Sequence, residues 1–160
     1  MFDFRPEPGQ PKAETLRQLC DAADALTAGE PDSIANMANV AALLWEFLPG
    51  LNWAGFYRMV DGELVLGPFV GRPACIRIPL GKGVCGTAAS TGASQLVADV
   101  HAFPGHIACD SASQSELVVP VLRDGAVIAV IDLDSPEKAR FDAEDQSGIE
   151  QLAALLSERI

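Results

Sequence analysis

An α+β domain built on a largely antiparallel sheet is what this sequence predicts, and three observations carry that reading. Long helical periodicity is confined to the two ends of the chain. Between them lie short strand-like segments interrupted by one brief helix. Tight turns join several of these segments, two of them at Asp61-Gly62 and Asp124-Gly125, which is hairpin chemistry and so implies antiparallel pairing. Helices set outside the strand region segregate to one face of such a sheet.

Taken in order, Leu16, Leu19, Cys20, Ala23 and Leu26 repeat at helical spacing, and Gly29 with Pro31 ends that segment. Asp32 can cap a second helix whose apolar face holds Ile34, Met37, Ala41, Leu44 and Leu48, stopped at Pro49-Gly50. Strands are expected over Trp53 to Val60, Glu63 to Leu66 and Cys75 to Pro79. A short helix follows from Gly81–Gly83 to Ser90, and Gln95 to Asp99 reads as a further strand. From Val100 to Ser115 nothing is periodic, and a loop of that length in a compact domain is usually functional. Glu116 to Leu122 and Ala126 to Asp132 form a hairpin, and a last helix from Asp142 places Ile149, Leu152, Leu156 and Ile160 on one side.

With 160 residues, 49% of them apolar, the chain suits one domain with a sizeable core. It is read as a single domain over residues 1–160, the first 12 extended, with no repeat or linker. Acids outnumber bases 22 to 11, a formal charge of −11. That field repels phosphates, so no nucleic-acid partner is expected. The N-terminus has no apolar core for a secretory signal, and no apolar run approaches the ~18 residues that span a bilayer. A cytoplasmic protein without membrane contact is expected, its thiols reduced and no permanent disulfide scaffold present.

Against that expectation, three of the four cysteines cluster. Cys75, Cys85 and Cys109 stand at intervals of 10 and 24 residues in the part of the chain richest in motifs. A second thiol can capture the oxidised form of a first, so three thiols among acids point to redox chemistry that turns over. Cys20 lies on the apolar stripe of the first helix and reads as core. Zinc is the natural competitor, with His101 and His106 nearby. But no C-x-x-C or H-x-x-x-H pair is present, and structural zinc sites rely on such close spacing. No metal and no cofactor are therefore expected, and the histidines read as loop residues.

The acids add to the pattern. Asp132 and Asp134 alternate on a strand end and share a face. Glu116 opens the preceding strand, and a tight hairpin brings it near them, while Asp99 and Asp110 flank the loop. Such acids can be a solvated edge, but several converging on a thiol-bearing loop favour a site. Trp53 and Tyr57 lie four apart on one strand, hence on one face, either as core or as a wall for a small apolar group.

Asn52 to Tyr57, Leu66-Gly67-Pro68-Phe69, Pro73 to Ile78, Gly83 to Ala88, Asp99 to His101, Phe103 to Asp110, Ser113 to Pro120 and Asp132 to Pro136 form a set of motifs spread over nearly the whole chain, weakest over the first thirty residues. In these the chain resembles the free methionine-(R)-sulfoxide reductases, which are single-domain GAF proteins. Both cysteine intervals match. Membership implies a six-stranded, mainly antiparallel sheet with flanking N- and C-terminal helices. It implies that Cys109 is the nucleophile, Cys75 the resolving cysteine and Cys85 an accessory thiol. Glu116, Asp132 and Asp134 become substrate-binding acids, and Trp53 and Tyr57 pocket walls. The implied partners are free L-methionine-(R)-sulfoxide, thioredoxin or a similar dithiol, and a second copy of the chain in a homodimer.

The chemistry suits these residues. Sulfoxide sulfur becomes electrophilic when its oxygen is protonated or hydrogen-bonded, and a thiolate can then attack it. Neighbouring carboxylates repel one another, so one of them can stay protonated near neutrality and act as that donor. The competing expectations are a GAF module that senses a small ligand, or a thiol-based peroxide sensor.

Overall fold

The computed structural model describes residues 3–107 and 110–160. Its elements run α1 (Lys12–Thr27), α2 (Ser33–Phe47), β1 (Trp53–Val60), β2 (Glu63–Gly71), β3 (Arg77–Ile78), α3 (Gly83–Thr91), β4 (Gln95–Val97), a 3-10 turn at Val100–Ala102, β5 (Ser115–Arg123), β6 (Ala126–Ser135) and α4 (Ala143–Leu156). The six strands form one sheet in the order β3-β2-β1-β6-β5-β4, every neighbouring pair antiparallel. The α+β class and the six-stranded sheet are as the sequence predicts.

Both Asp-Gly pairs make the hairpins they advertise. Asp61 and Gly62 have φ of 50° and 84°, Asp124 and Gly125 of 51° and 78°. Two successive left-handed residues are what the tightest hairpin turn needs, and Asp and Gly tolerate them.

Alternation along the central strands then sorts two cores. Ala54 and Phe56, Leu117, Val119 and Val121, and Ala129, Ile131 and Leu133 face the long helices, packing with Leu19, Leu44, Phe47, Ile149, Leu152 and Leu156. The opposite face carries Trp53, Tyr57, Val118 and Val130, covered by α3 through Val84, Cys85 and Ala88. Cys20 packs half-buried against the first core with its thiol pointed at the Gly148 carbonyl, 3.8 Å away, and burial lifts its pKa to about 11. It is a structural thiol, as expected.

Several boundaries differ from expectation. β2 continues past Leu66 to Gly71, because the Gly67-Pro68 step falls where the β1–β2 register shifts between Gly55 and Tyr57. A proline at such a bulge forfeits no ladder hydrogen bond. β3 shrinks to two residues, and β4 stops before Asp99, whose carboxylate instead caps the 3-10 turn by accepting from the His101 N–H. β6 runs on to Ser135, which places Asp132 and Asp134 inside the sheet rather than at a solvated edge.

One ion cluster ties the helices together. Asp142 and Asp145 form a reciprocal capping box at the start of α4, and the buried Asp145 carboxylate also meets Lys12 at 2.9 Å and Arg140 at 3.5 Å. Removing it leaves a cap and two cations without their shared anion. Asp145→Ala is expected to cost about 3 kcal/mol in urea unfolding. A loss below about 0.5 kcal/mol, the range of ordinary surface substitutions, would show the cluster to be ornamental.

Candidate active site

Strand register builds the site. Residues directly opposite on antiparallel strands project to the same face. Asp134 pairs with Trp53 on one side and Glu116 on the other, and Asp132 pairs with Gly55 and Val118. The second-core face of the sheet therefore holds Glu116, Asp132, Asp134, Trp53 and Tyr57 together. All five predicted substrate-binding residues share that face.

Above them α3, with His106, Ile107, Asp110 and Ser113, forms the walls of a pocket of about 380 Å³, mouth included, lined also by Tyr57, Ile78 and the three acids. Cys85, in the first turn of α3, points down at the sheet with its sulfur 3.9 Å from Glu116 Oε1. From the other side His106 Nε2 stands 3.9 Å from Glu116 Oε2. Gly83 opens α3 with φ of 62°, and a Cβ there would lie 3.3–3.4 Å from Ile107, so the residue's bareness lets the wall segment close against the helix. No side chain caps this helix start, and Lys82 to Cys85 of its first turn line the pocket.

Burial dominates the electrostatics. Glu116 is 7% exposed, Asp132 5% and Cys85 4%. The Glu116 carboxyl is held well above the ordinary carboxylate range, first by burial and then by the charges of Asp132 and Asp134. Asp134 is raised likewise by burial and by Asp132, whereas Asp132 is lifted by burial only to about 6. Burial and the neighbouring charges thus favour the protonated form more in Glu116 and Asp134 than in Asp132. Mutual repulsion, the cause expected from sequence, ranks second to desolvation. The Cys85 thiol is raised by burial, then by Asp132 and Glu116, and stays protonated. His106 is lowered by its burial and by His101, leaving a neutral imidazole. Asp132 Oδ1 is buried and receives no hydrogen bond among the described residues.

The aromatic pair behaves differently on its two members. Tyr57 lines the pocket and donates its hydroxyl to the Cys75 carbonyl at 3.0 Å. Trp53 stacks behind it, 5.9 Å from the Tyr57 ring and 5.1 Å from that of Phe69, with its indole N–H donated to the Arg72 carbonyl. Trp53 is a backing layer to the described pocket, not part of its lining.

The cysteines separate as well. Cys85 and Cys20 are free, while Cys75, half-buried beside Tyr57, is disulfide-bonded. Cys109, the predicted nucleophile, lies outside the described residues. The segment that follows it is anchored: Asn52 donates from one amide to both Asp110 and Ser113, each at 3.1 Å, and Asp110 also accepts from the Ala112 N–H.

Sequence reasoning missed His106, Asn52 and the Lys82–Gly83 wall. His106 had a signal, three positions before Cys109, but a lone loop histidine more often serves the backbone. Asn52 and Gly83 carry no chemistry of their own and become visible only through what they hold in place.

Comparison with known proteins agrees with this geometry. The GAF domain family matches residues 36–160. The chain is 50% identical to the free methionine-R-sulfoxide reductase of Escherichia coli, covering 91% of this chain and 88% of that protein. It is 44% identical to the yeast enzyme of the same name from Saccharomyces cerevisiae, over 91% and 86% respectively. The free methionine-R-sulfoxide reductase of Neisseria meningitidis, solved in complex with its substrate, superimposes with a TM-score of 0.94 at 43% identity, covering 99% of this chain and 95% of that one. A conserved architecture at this level of identity, with the carboxylate trio and pocket in place, leads to one conclusion: this chain belongs to the free methionine-R-sulfoxide reductases of the GAF-domain family.

Proposed function

We propose that this protein reduces free L-methionine-(R)-sulfoxide to methionine, and that the buried Glu116/Asp132/Asp134 trio is the feature that makes the pocket chemically competent for it. The Cys109 thiolate attacks the sulfoxide sulfur while Glu116 or Asp134, protonated at neutral pH, donates to the oxygen. Methionine leaves with its sulfur reduced, and the oxygen stays on Cys109 as a sulfenic acid. The Cys75 thiol then condenses with it, forming a disulfide and releasing water. A thioredoxin-type dithiol returns two electrons and two protons. The disulfide at Cys75, and the hydrogen bond that ties Cys75 to the pocket wall through Tyr57, support the resolving role.

Selection of the free amino acid follows from the walls. The Asp132 carboxylate takes the substrate ammonium. The uncapped first turn of α3, with Lys82 beside it, takes the α-carboxylate, since a helix start carries partial positive charge. A peptide bond would abolish one of these charges and lengthen the ligand. Tyr57, backed by Trp53, faces the methylthio end. Cys85 lies below the acids as a protonated thiol, suited to exchange only after the pocket opens.

Turnover of the R and S epimers of free methionine sulfoxide with a dithiol tests the reading, on the wild type and on Cys109→Ser. R-selective methionine formation that disappears in the variant is expected. A folded protein that turns over neither epimer would instead be a ligand- or peroxide-sensing GAF domain.

A further inference from the structure

We propose that the floor of this pocket is also a binding site for one borderline-soft divalent cation of the zinc type, held by Cys85, Glu116, Asp132 and His106. Holding an ammonium explains the carboxylates but not the other two donors. A thiol and a neutral imidazole converge on the same glutamate, one from each side, at 3.9 Å to its two oxygens. One ligand atom from each of Cys85, Glu116 and Asp132 lies within 4.8 Å of the others, all three residues being buried. Tetrahedral zinc, with bonds of ~2.0–2.3 Å, needs its donors roughly 3.3–3.6 Å apart. The two 3.9 Å spacings to Glu116 are within about 0.6 Å of that geometry and the Cys85, Glu116 and Asp132 set within about 1.5 Å of it, while His106, outside that set, must swing in to complete the tetrahedron. Asp132 Oδ1, buried and without a hydrogen bond among the described residues, borders the same pocket.

The donor set of sulfur, nitrogen and two oxygens matches zinc's preferences, whereas magnesium or calcium would call for oxygens alone. It also differs from the structural zinc site that the sequence argued against, because its ligands come from three separate elements with no short spacing to reveal them. On binding, the Cys85 S–H proton and the Glu116 carboxyl proton pass to solvent as the sulfur–metal and oxygen–metal bonds form, and no electrons move. Two carboxylates and one thiolate against a doubly charged ion leave one net negative charge, the ion offsetting the two charges that the lost protons uncover.

Such a metal occupies the space between the acids, so it excludes a pocket ligand that uses them. Its effect on the protein is inhibitory, an accessible pool of zinc setting how much of the chain is open.

Cobalt(II), a spectroscopic stand-in for zinc, tests this on the reduced protein. The variant Cys20→Ser/Cys75→Ser/Cys109→Ser leaves Cys85 as the sole thiol. Expected are one equivalent of cobalt, a thiolate-to-cobalt charge-transfer band in that variant, and displacement of the cobalt by one equivalent of zinc. Adding Cys85→Ser is expected to abolish the band, and Asp132→Asn in the three-serine background to weaken binding by about tenfold or more. Circular dichroism establishes that each variant is folded. Absence of the band in the folded three-serine variant, or unchanged affinity in folded Asp132→Asn, overturns the proposal. The absorption readout is independent of the reductase reading. A zinc-dependent rise in apparent KM for the sulfoxide would add competition to binding, and its absence alongside a clear band would count against the shared pocket only.

Discussion

Replacing Asp132 by Asn is expected to make the protein more stable and nearly inactive. In the folded state burial holds the Asp132 carboxyl at about 6 against an ordinary 3.8. A raised carboxyl pKa means that folding favours the protonated form. Its contribution to stability is complete below pH 3.8, declines as pH rises toward 6, and is gone above that. At neutral pH the ionised side chain therefore costs about 3 kcal/mol. Asn removes the charge at almost constant volume, and although Cys85 and Glu116 hydrogen-bond to the carboxylate, burial outweighs them in setting its pKa. At pH 7.5 a rise in Tm of roughly 5–10 °C is expected for a domain of this size, shrinking toward zero near pH 4. With Asp132 in its proposed role as the ammonium's partner, kcat/KM should fall at least about 100-fold. Calorimetry at both pH values, beside steady-state kinetics, separates the effects. A variant that melts lower than wild type at pH 7.5 would show that the charge is stabilised by something in the fold, and the electrostatic account of the site would fail with it. A stabilising change that abolishes activity is what a site under strain predicts.

Gly55→Ala is expected to do the reverse, damaging the fold and the site together. A Cβ on Gly55 would lie 2.4 Å from Phe69 Cβ and 2.7 Å from both Phe69 Cα and the Pro68 carbonyl. Two of those three atoms are backbone, so no rotamer change relieves the clash, and β2 must lift away from β1. The position is where the β1–β2 register shifts, which is how β2 comes to fold Phe69 over the face that bears the acids. Phe69 stacks on Trp53 and Trp53 on Tyr57, so displacement at Gly55 reaches the pocket wall within three rings. A loss of about 3 kcal/mol in urea unfolding is expected, at the upper end for overpacking, with KM rising in whatever variant remains folded. Stability within about 0.5 kcal/mol of wild type would mean that the bulge can slide, and that the stack is not held by this contact.

Local chemistry was the legible part of this molecule. The Asp-Gly pairs could make little other than tight hairpin turns, and those turns set the antiparallel pairing of β1 with β2 and of β5 with β6. Alternation within the strands could be read one residue at a time, so the shared face of Trp53 with Tyr57, and of Asp132 with Asp134, followed directly. Errors gathered where a residue's meaning depends on its neighbour across the sheet. The second strand was expected to stop at Leu66, and the bulge opposite Phe56 is what lets it continue through Pro68. Asp134 read as lying at a strand end because the hairpin's full length was not visible in either strand alone. Resemblance to the reductases supplied roles for the cysteines that spacing could not, since three thiols allow several pairings.

What this sequence determined by itself was its class, its turns, the two faces of each central strand and the kind of chemistry to look for: thiols and acids in one region of the chain. Those are properties of short stretches, where side-chain period and backbone preference act over a few residues. Tertiary structure alone decided that Glu116 pairs across from Asp134, that α3 lowers Cys85 onto them, that His106 closes on the same carboxylate, and that burial raises all three acids. Each of these depends on how completely water is removed from groups far apart in the chain. Desolvation is a property of the packed assembly, and no single segment carries it.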